Sequence, residues 1–134
     1  MTLLFDASAI TNLMIAQGSK VLGKTRGNFA LDLTGYEIGN AIWRLFLVER
    51  RIDSSEASEL LGTAIDLLGQ LRQVRLEELN SSRILEIGVS KRITFYDASY
   101  VVAAETKRLT VVTDDAGLAR AAKEYVPTKH SLEI

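Results

Sequence analysis

Apolar residues in this chain come in short runs separated by stretches of helical spacing, and that alternation narrows the fold at once. Leu3-Leu4-Phe5 reads as a strand, and Ser8 to Ala16 as a helix with Ile10, Leu13 and Met14 on one face. Residues 17 to 28, richer in glycine and polar groups, read as a loop or a short irregular helix. Phe29 to Leu33 is a second strand. Thr34 to Arg51 is a helix, with Ile38, Ala41, Ile42 and Leu45 in the i, i+3, i+4, i+7 pattern. Asp53-Ser54-Ser55-Glu56 opens another helix, with Ala57, Leu60, Leu61, Ala64 and Leu68 as its stripe. Gln73 to Leu76 is a brief strand, Leu79 to Lys91 a helix, and Asp97 to Lys107 a helix rich in small residues. Leu109 to Thr113 is a β-branched strand and Ala116 to Glu124 an Ala-rich helix. Val126 starts a last edge strand, with the only proline, Pro127, after it. Short strands separated by helices imply a parallel sheet covered on both faces. The expected architecture is one α/β domain over residues 1–134, with three layers and a short, mainly parallel central sheet flanked by helices.

Composition then limits the chemistry. The chain has no cysteine and a single histidine, His130, so thiol nucleophiles, Cys-based zinc sites and any site needing two histidines are excluded. An active site must be built from carboxylates and hydroxyls. Sixteen Lys and Arg stand against seventeen Asp and Glu, so there is no global basic field to attract nucleic acid. The opening residues lack the charged start and apolar stretch of a signal peptide, and no apolar run approaches a membrane span. A soluble, cytoplasmic protein without a membrane partner is expected.

Sites in open parallel sheets form at the carboxyl ends of strands. Asp6 follows the first strand, and Glu37 lies in the first turn after the second. Asp114 and Asp115 follow Val111-Val112-Thr113, and Asp97 starts the helix leading to that strand. Each acid alone reads well as a helix cap, and Thr34-Gly35-Tyr36-Glu37 and Thr94-Phe95-Tyr96-Asp97 both have capping-box spacing. The set is harder to explain that way, because an ionised group directly after an apolar strand is costly unless paired or coordinated. Two carboxylates about 4 Å apart repel by roughly 4 kcal/mol at an effective dielectric near 20. A converging cluster needs raised pKa values or a bound cation. An all-oxygen site suits Mg²⁺ or Mn²⁺, and such an ion suggests phosphoryl chemistry.

These residues resemble a PIN domain, the metal-dependent nuclease fold, and within it the toxin ribonucleases of VapBC-type toxin–antitoxin pairs. The resemblance rests on four patterns in order: Leu4-Phe5-Asp6-Ala7-Ser8, Glu37-Ile38-Gly39-Asn40-Ala41-Ile42-Trp43, Tyr96-Asp97-Ala98-Ser99-Tyr100-Val101 and Thr113-Asp114-Asp115-Ala116-Gly117-Leu118. It implies that Asp6, Glu37, Asp97 and Asp115 hold one or two Mg²⁺ or Mn²⁺ ions. Asp114 is an extra neighbour that shares or replaces the role of Asp115, and Ser8 and Thr113 match hydroxyl positions that orient carboxylates or water. The implied reaction is endonucleolytic hydrolysis of an RNA phosphodiester by metal-activated water, leaving a 5′-phosphate. A VapB-like antitoxin and a homodimer are the implied protein partners.

Other readings compete. One is a PIN-type RNA-processing nuclease without an antitoxin. Another is an Asp/Mg-dependent phosphoryl-transfer domain, although Ser8 stands where haloacid-dehalogenase-like chemistry expects a second Asp. A third is a non-catalytic binding domain whose acids are only caps. Gly18 to Thr25 also fits the phosphate-loop expression G-x-x-x-x-G-K-[ST], but the segment before it reads as a helix rather than a strand. Its Lys24 and Arg26 remain candidates for RNA phosphates, as does Arg44, seven residues after Glu37 on the same helical face. Arg50, Arg51, Lys91, Arg92, Lys107, Arg108 and Arg120 read mainly as solvated helix faces. Leu13, Trp43, Phe46 and Leu47 read chiefly as core, with a partner contact as the alternative.

Overall fold

Five strands of two or three residues carry the apolar runs into one sheet: β1 (Leu3–Phe5), β2 (Phe29–Leu31), β3 (Arg72–Val74), β4 (Thr110–Val112) and β5 (Thr128–Lys129). The computed structural model describes residues 1–134. The sheet order is β3-β2-β1-β4-β5 and every pairing is parallel, with Leu4 opposite both Phe29 and Val111. Seven α-helices cover it: α1 (Ala7–Gln17), α2 (Val21–Thr25), α3 (Thr34–Trp43), α4 (Ser54–Gln70), α5 (Ser81–Lys91), α6 (Phe95–Lys107) and α7 (Ala116–Ala122). The expected three-layer α/β architecture is the one observed. No helix is long and apolar enough to cross a membrane.

Side-chain alternation along the strands divides the core in two. Phe5, Ala30 and Val112 point into one layer, where they meet Ile10, Ile38, Ile42 and Leu67 of α1, α3 and α4. Leu4, Leu31, Val74 and Val111 point into the other, against Ile84, Ile87, Val101 and Leu118 of α5, α6 and α7. Chain direction explains the split. From β1 the chain steps outward to β2 and β3, then returns past β1 to β4 and β5. Right-handed crossovers place the helices of the outward and return steps on opposite faces. The direction reverses between β1 and β4, which creates the crevice where open α/β sheets hold ligands.

Several element ends differ from the sequence reading for identifiable reasons. The long helix after β2 stops at Trp43 and continues as a π-helical turn over Arg44–Val48. There the Glu49 N–H reaches back five residues to the Arg44 carbonyl, and Arg50 adopts a left-handed φ of 52°. The last strand lies after Pro127 rather than at Val126, because Val126 N–H still bonds back to the Ala122 carbonyl at the end of α7, and the bond from Val111 N–H to the Pro127 carbonyl sets Thr128 opposite Val111. Residues 18–25 form a short 3-10 turn and α2. Gln73 to Leu76 shifts to Arg72–Val74, and Leu33 leaves its strand to precede α3.

The split core predicts that Leu4→Ala costs about 2–5 kcal/mol in chemical denaturation. Val89→Ala, at a side chain 71% exposed on α5, is expected to stay within about 0.5 kcal/mol of wild type.

Candidate active site

The crevice between β1 and β4 is walled by hydroxyls that grip one buried carboxylate. Asp6 ends β1 and is 5% exposed. Its Oδ1 accepts from Ser8 Oγ (2.7 Å) and from Ala9 N–H (2.9 Å), which makes it the cap of α1. Its Oδ2 accepts from Thr113 Oγ1, just beyond β4. Each hydroxyl is in turn fixed by a backbone donor. Ser8 Oγ accepts from Asp114 N–H (2.9 Å) and Thr113 Oγ1 from Asp115 N–H (3.0 Å). Burial raises the Asp6 carboxyl above its ordinary value, against the bonds from Thr113, Ala9 and Ser8.

Glu37 is held by a different chain of bonds. Its Oε1 accepts from the Tyr100 hydroxyl at 2.6 Å. Tyr100 Oη lies 2.7 Å from Thr34 Oγ1, and with its own proton committed to Glu37 it must accept there. Thr34 Oγ1 accepts from Leu31 N–H at 3.0 Å, at the end of β2. The capping-box reading of Thr34 and Glu37 is therefore overturned: Leu33 precedes the helix, and the Glu37 carboxylate turns into the crevice. Burial raises Glu37, with Asp6 adding to it and Tyr100 opposing. The sequence reading gave Thr34 only a capping role and Tyr100 none, and missed that both hold Glu37. The available signal was a tyrosine one turn after Asp97, on a helix face otherwise made of small and aliphatic residues.

Asp97, in the first turn of α6, accepts no hydrogen bond, while its N–H is capped by Thr94 Oγ1 at 3.0 Å. Its carboxyl is raised to about 6, first by burial and then by the charges of Asp115, Glu37 and Asp6. That influence joins all four acids into one electrostatic unit. Asp115 caps α7 through Leu118 N–H (2.8 Å) and faces the cluster. Asp114, whose charge also raises Asp6, spends its oxygens on other partners. It accepts from Asn12 Nδ2 and Ser131 N–H, both at 2.8 Å, and from Ser131 Oγ, with His130 Nε2 at 3.3 Å. Burial opposes its charge, yet these bonds and His130 hold its carboxyl below the ordinary value. As the side chains stand, no three acidic or histidine groups are close enough to grip one ion. The acids influence one another's charge without closing on a point.

The cations divide. Arg44 is exposed and shares with Glu37 and Ala7 a hollow of about 450 Å³. Lys24 and Arg26 precede β2 and so lie at the amino end of the sheet, away from the acids: Asn28, two residues on, bonds Leu3 N–H at the start of β1. The phosphate-loop reading fails for the same reason. Lys24 and Thr25 end a short helix that leads into a strand, and Thr25 Oγ1 donates to Val21 O at 3.1 Å. Lys91 and Lys107 pair with Glu124 and Glu78 as solvated helix faces do. Trp43, Phe46 and Leu47 are 43–56% exposed, which overturns their reading as core, whereas Leu13 is buried.

A five-stranded parallel sheet with acids gathered at its switch point is the architecture of a PIN-like domain. No model of a known protein family matches the chain. It is 36% identical to Exonuclease VapC9 of Pyrobaculum aerophilum over 115 residues, 86% of this chain and 81% of that protein. It is 29% identical to Ribonuclease VapC3 of the same organism over 126 residues, 89% of this chain and 93% of that one. The crystal structure of PAE2754, also from P. aerophilum, superposes with a TM-score of 0.72 at 29% identity, covering 96% of this chain and 89% of that one. The chain belongs to the VapC family of PIN-domain nuclease toxins.

The raised Asp97 carboxyl has a sign that can be tested. In the folded state it holds its proton up to about pH 6, above its ordinary 3.8. Asp97 therefore withdraws stability from the metal-free protein as pH rises from 4 through 6, and its penalty persists above that. With chelator present, Asp97→Asn is expected to gain about 1 kcal/mol at pH 8, after discounting for solvent screening, or about 3–5 °C in Tm. The gain should vanish near pH 4. An equal Tm difference at both pH values would contradict the coupling.

Proposed function

We propose that the chain is a divalent-metal-dependent endoribonuclease and the toxin of a toxin–antitoxin pair, acting in the cytoplasm. The observation that carries this reading is that Asp6, Glu37, Asp97 and Asp115 follow strand ends or open helices on one side of the sheet with no basic side chain paired to any of them, the charges of Asp115, Glu37 and Asp6 adding to burial in raising Asp97. A cluster of that kind is relieved by a cation. The donors are all carboxylate oxygens, which fits Mg²⁺ or Mn²⁺. Asp6, Glu37, Asp97 and Asp115 would hold the ion, and Asp114, spent on the C-terminal segment, would not. When bound, such an ion supplies activation of water and charge stabilisation at a phosphodiester.

The protein's own groups have separable tasks. Ser8 and Thr113 fix both oxygens of Asp6, so it serves as a rigid anchor. Tyr100 and Thr34 orient Glu37. Asp97 and the second oxygen of Asp115 are less tied and can turn toward a ligand. Arg44 stands where it can take a phosphate neighbouring the scissile one. The acidic cleft is also a natural target for a basic segment of a VapB-like antitoxin. The exposed ridge Trp43, Phe46, Leu47 and Val48 supports a homodimer.

Cleavage of a labelled RNA should require Mg²⁺ or Mn²⁺ and stop with chelator. Asp6→Asn and Asp97→Asn should lose more than the roughly 10–100-fold typical of residues that only orient a ligand, and Tyr100→Phe should fall within that range. Circular RNA should be opened, which an exonuclease cannot do. Full-rate cleavage in chelator, or by Asp6→Asn, would refute the reading.

Light scattering should give twice the 14.8 kDa chain mass, returning to one chain mass in Phe46→Arg. A wild-type monomer would refute the dimer.

A further inference from the structure

Beside the acids lies a second hollow, of about 340 Å³, that the catalytic reading does not use. Its floor is Leu31 and Val74, the ends of β2 and β3. Its rim is aromatic: Tyr36 is 84% exposed, Tyr96 57% and Phe95 39%. Large apolar rings left open to water around a concave, apolar floor mark a binding site rather than a packing remnant.

Position ties this hollow to the cleft. Tyr36 immediately precedes Glu37, and Tyr96 immediately precedes Asp97. The helical turns that aim two acids at the reaction centre thus present two rings alongside it. Leu33, Tyr36 and Tyr96 line both this hollow and the one containing Glu37 and Arg44.

Chemistry selects the occupant. No Lys or Arg lines the hollow, so a phosphate has nothing to pair with there. Its one acid, Asp32, accepts from Leu76 N–H at 3.3 Å, and Ser99 Oγ donates to the Phe95 carbonyl at 2.7 Å. The hydroxyls of Tyr36 and Tyr96 have no protein partner. A flat, neutral ring with polar edges satisfies this lining. Single-stranded RNA offers that group, because its unpaired bases stack on exposed aromatic side chains. We infer that Tyr36, Phe95 and Tyr96 form a nucleobase subsite, holding one unpaired base of the RNA strand next to the phosphodiester at the acids. The inference rests on the nuclease reading and adds a residue-level basis for sequence preference.

The test separates the two. A short RNA carrying 2-aminopurine at successive positions is added to full-length protein in Ca²⁺, a poorer activator of water that still fills an all-oxygen site, and fluorescence is read before turnover. Quenching is expected at one position flanking the cut site. Tyr36→Ala and Tyr96→Ala should each weaken binding about 10-fold and abolish the quench, while Tyr96→Phe retains it. Mn²⁺ affinity should be unchanged in all three. In parallel, an abasic residue at that position should slow wild-type cleavage about 10-fold and leave Tyr96→Ala indifferent. No quench with wild type, or a quench surviving both alanine variants, overturns the subsite. So does an unaltered cleavage profile in variants that have lost binding to a protein partner, which would assign the hollow to that partner. Absence of any RNA cleavage would sink the nuclease reading alone, since the quench reports base capture without turnover.

Discussion

The bond from the Thr113 hydroxyl to the Asp6 carboxylate joins the ends of two adjacent parallel strands at the place where the sheet changes direction. Much of the site depends on it. A buried carboxylate without partners would be costly, and Asp6 is tolerated at the end of β1 because Ser8, Ala9 and Thr113 satisfy it. Those hydroxyls are themselves oriented by the backbone of Asp114 and Asp115. One buried charge thereby fixes α1 to β1, β1 to β4, and the loop that carries Asp115.

Around that rigid point the other acids are held with graded freedom. Glu37 is reached through Leu31, Thr34 and Tyr100, a relay that connects the end of β2 to α6. Asp97 is positioned by its backbone alone. The gradient suits a site that keeps its shape yet adjusts to a ligand. It also concentrates like charge, which adds to burial in raising the Asp97 carboxyl above its ordinary value.

Much of this was legible in the sequence, for physical reasons. Strand ends in a parallel sheet converge, so acids following Phe5, Leu31 and Val112 had to approach one another. Strand polarity carried the same information about Lys24 and Arg26: residues that precede a strand lie at the far end from residues that follow one. The hydrogen bonds that engage Asp114 were hidden because their partner, Ser131, is 17 residues away. Tyr100 was hidden because a buried hydroxyl leaves no mark in an apolar stripe. The π turn was hidden because Phe46, Leu47 and Val48 continue an apolar pattern that the backbone no longer follows, and this left them on the surface.

A Mn²⁺ titration followed by amide NMR reads out whether the four acids share one ion, because paramagnetic broadening reports distance to the ion independently of turnover. Amides around residues 6, 37, 97 and 115 should broaden together, with one shared affinity, while those around residues 24 and 26 stay sharp. Broadening scattered over the surface acids, or confined to one of the four segments, would contradict it.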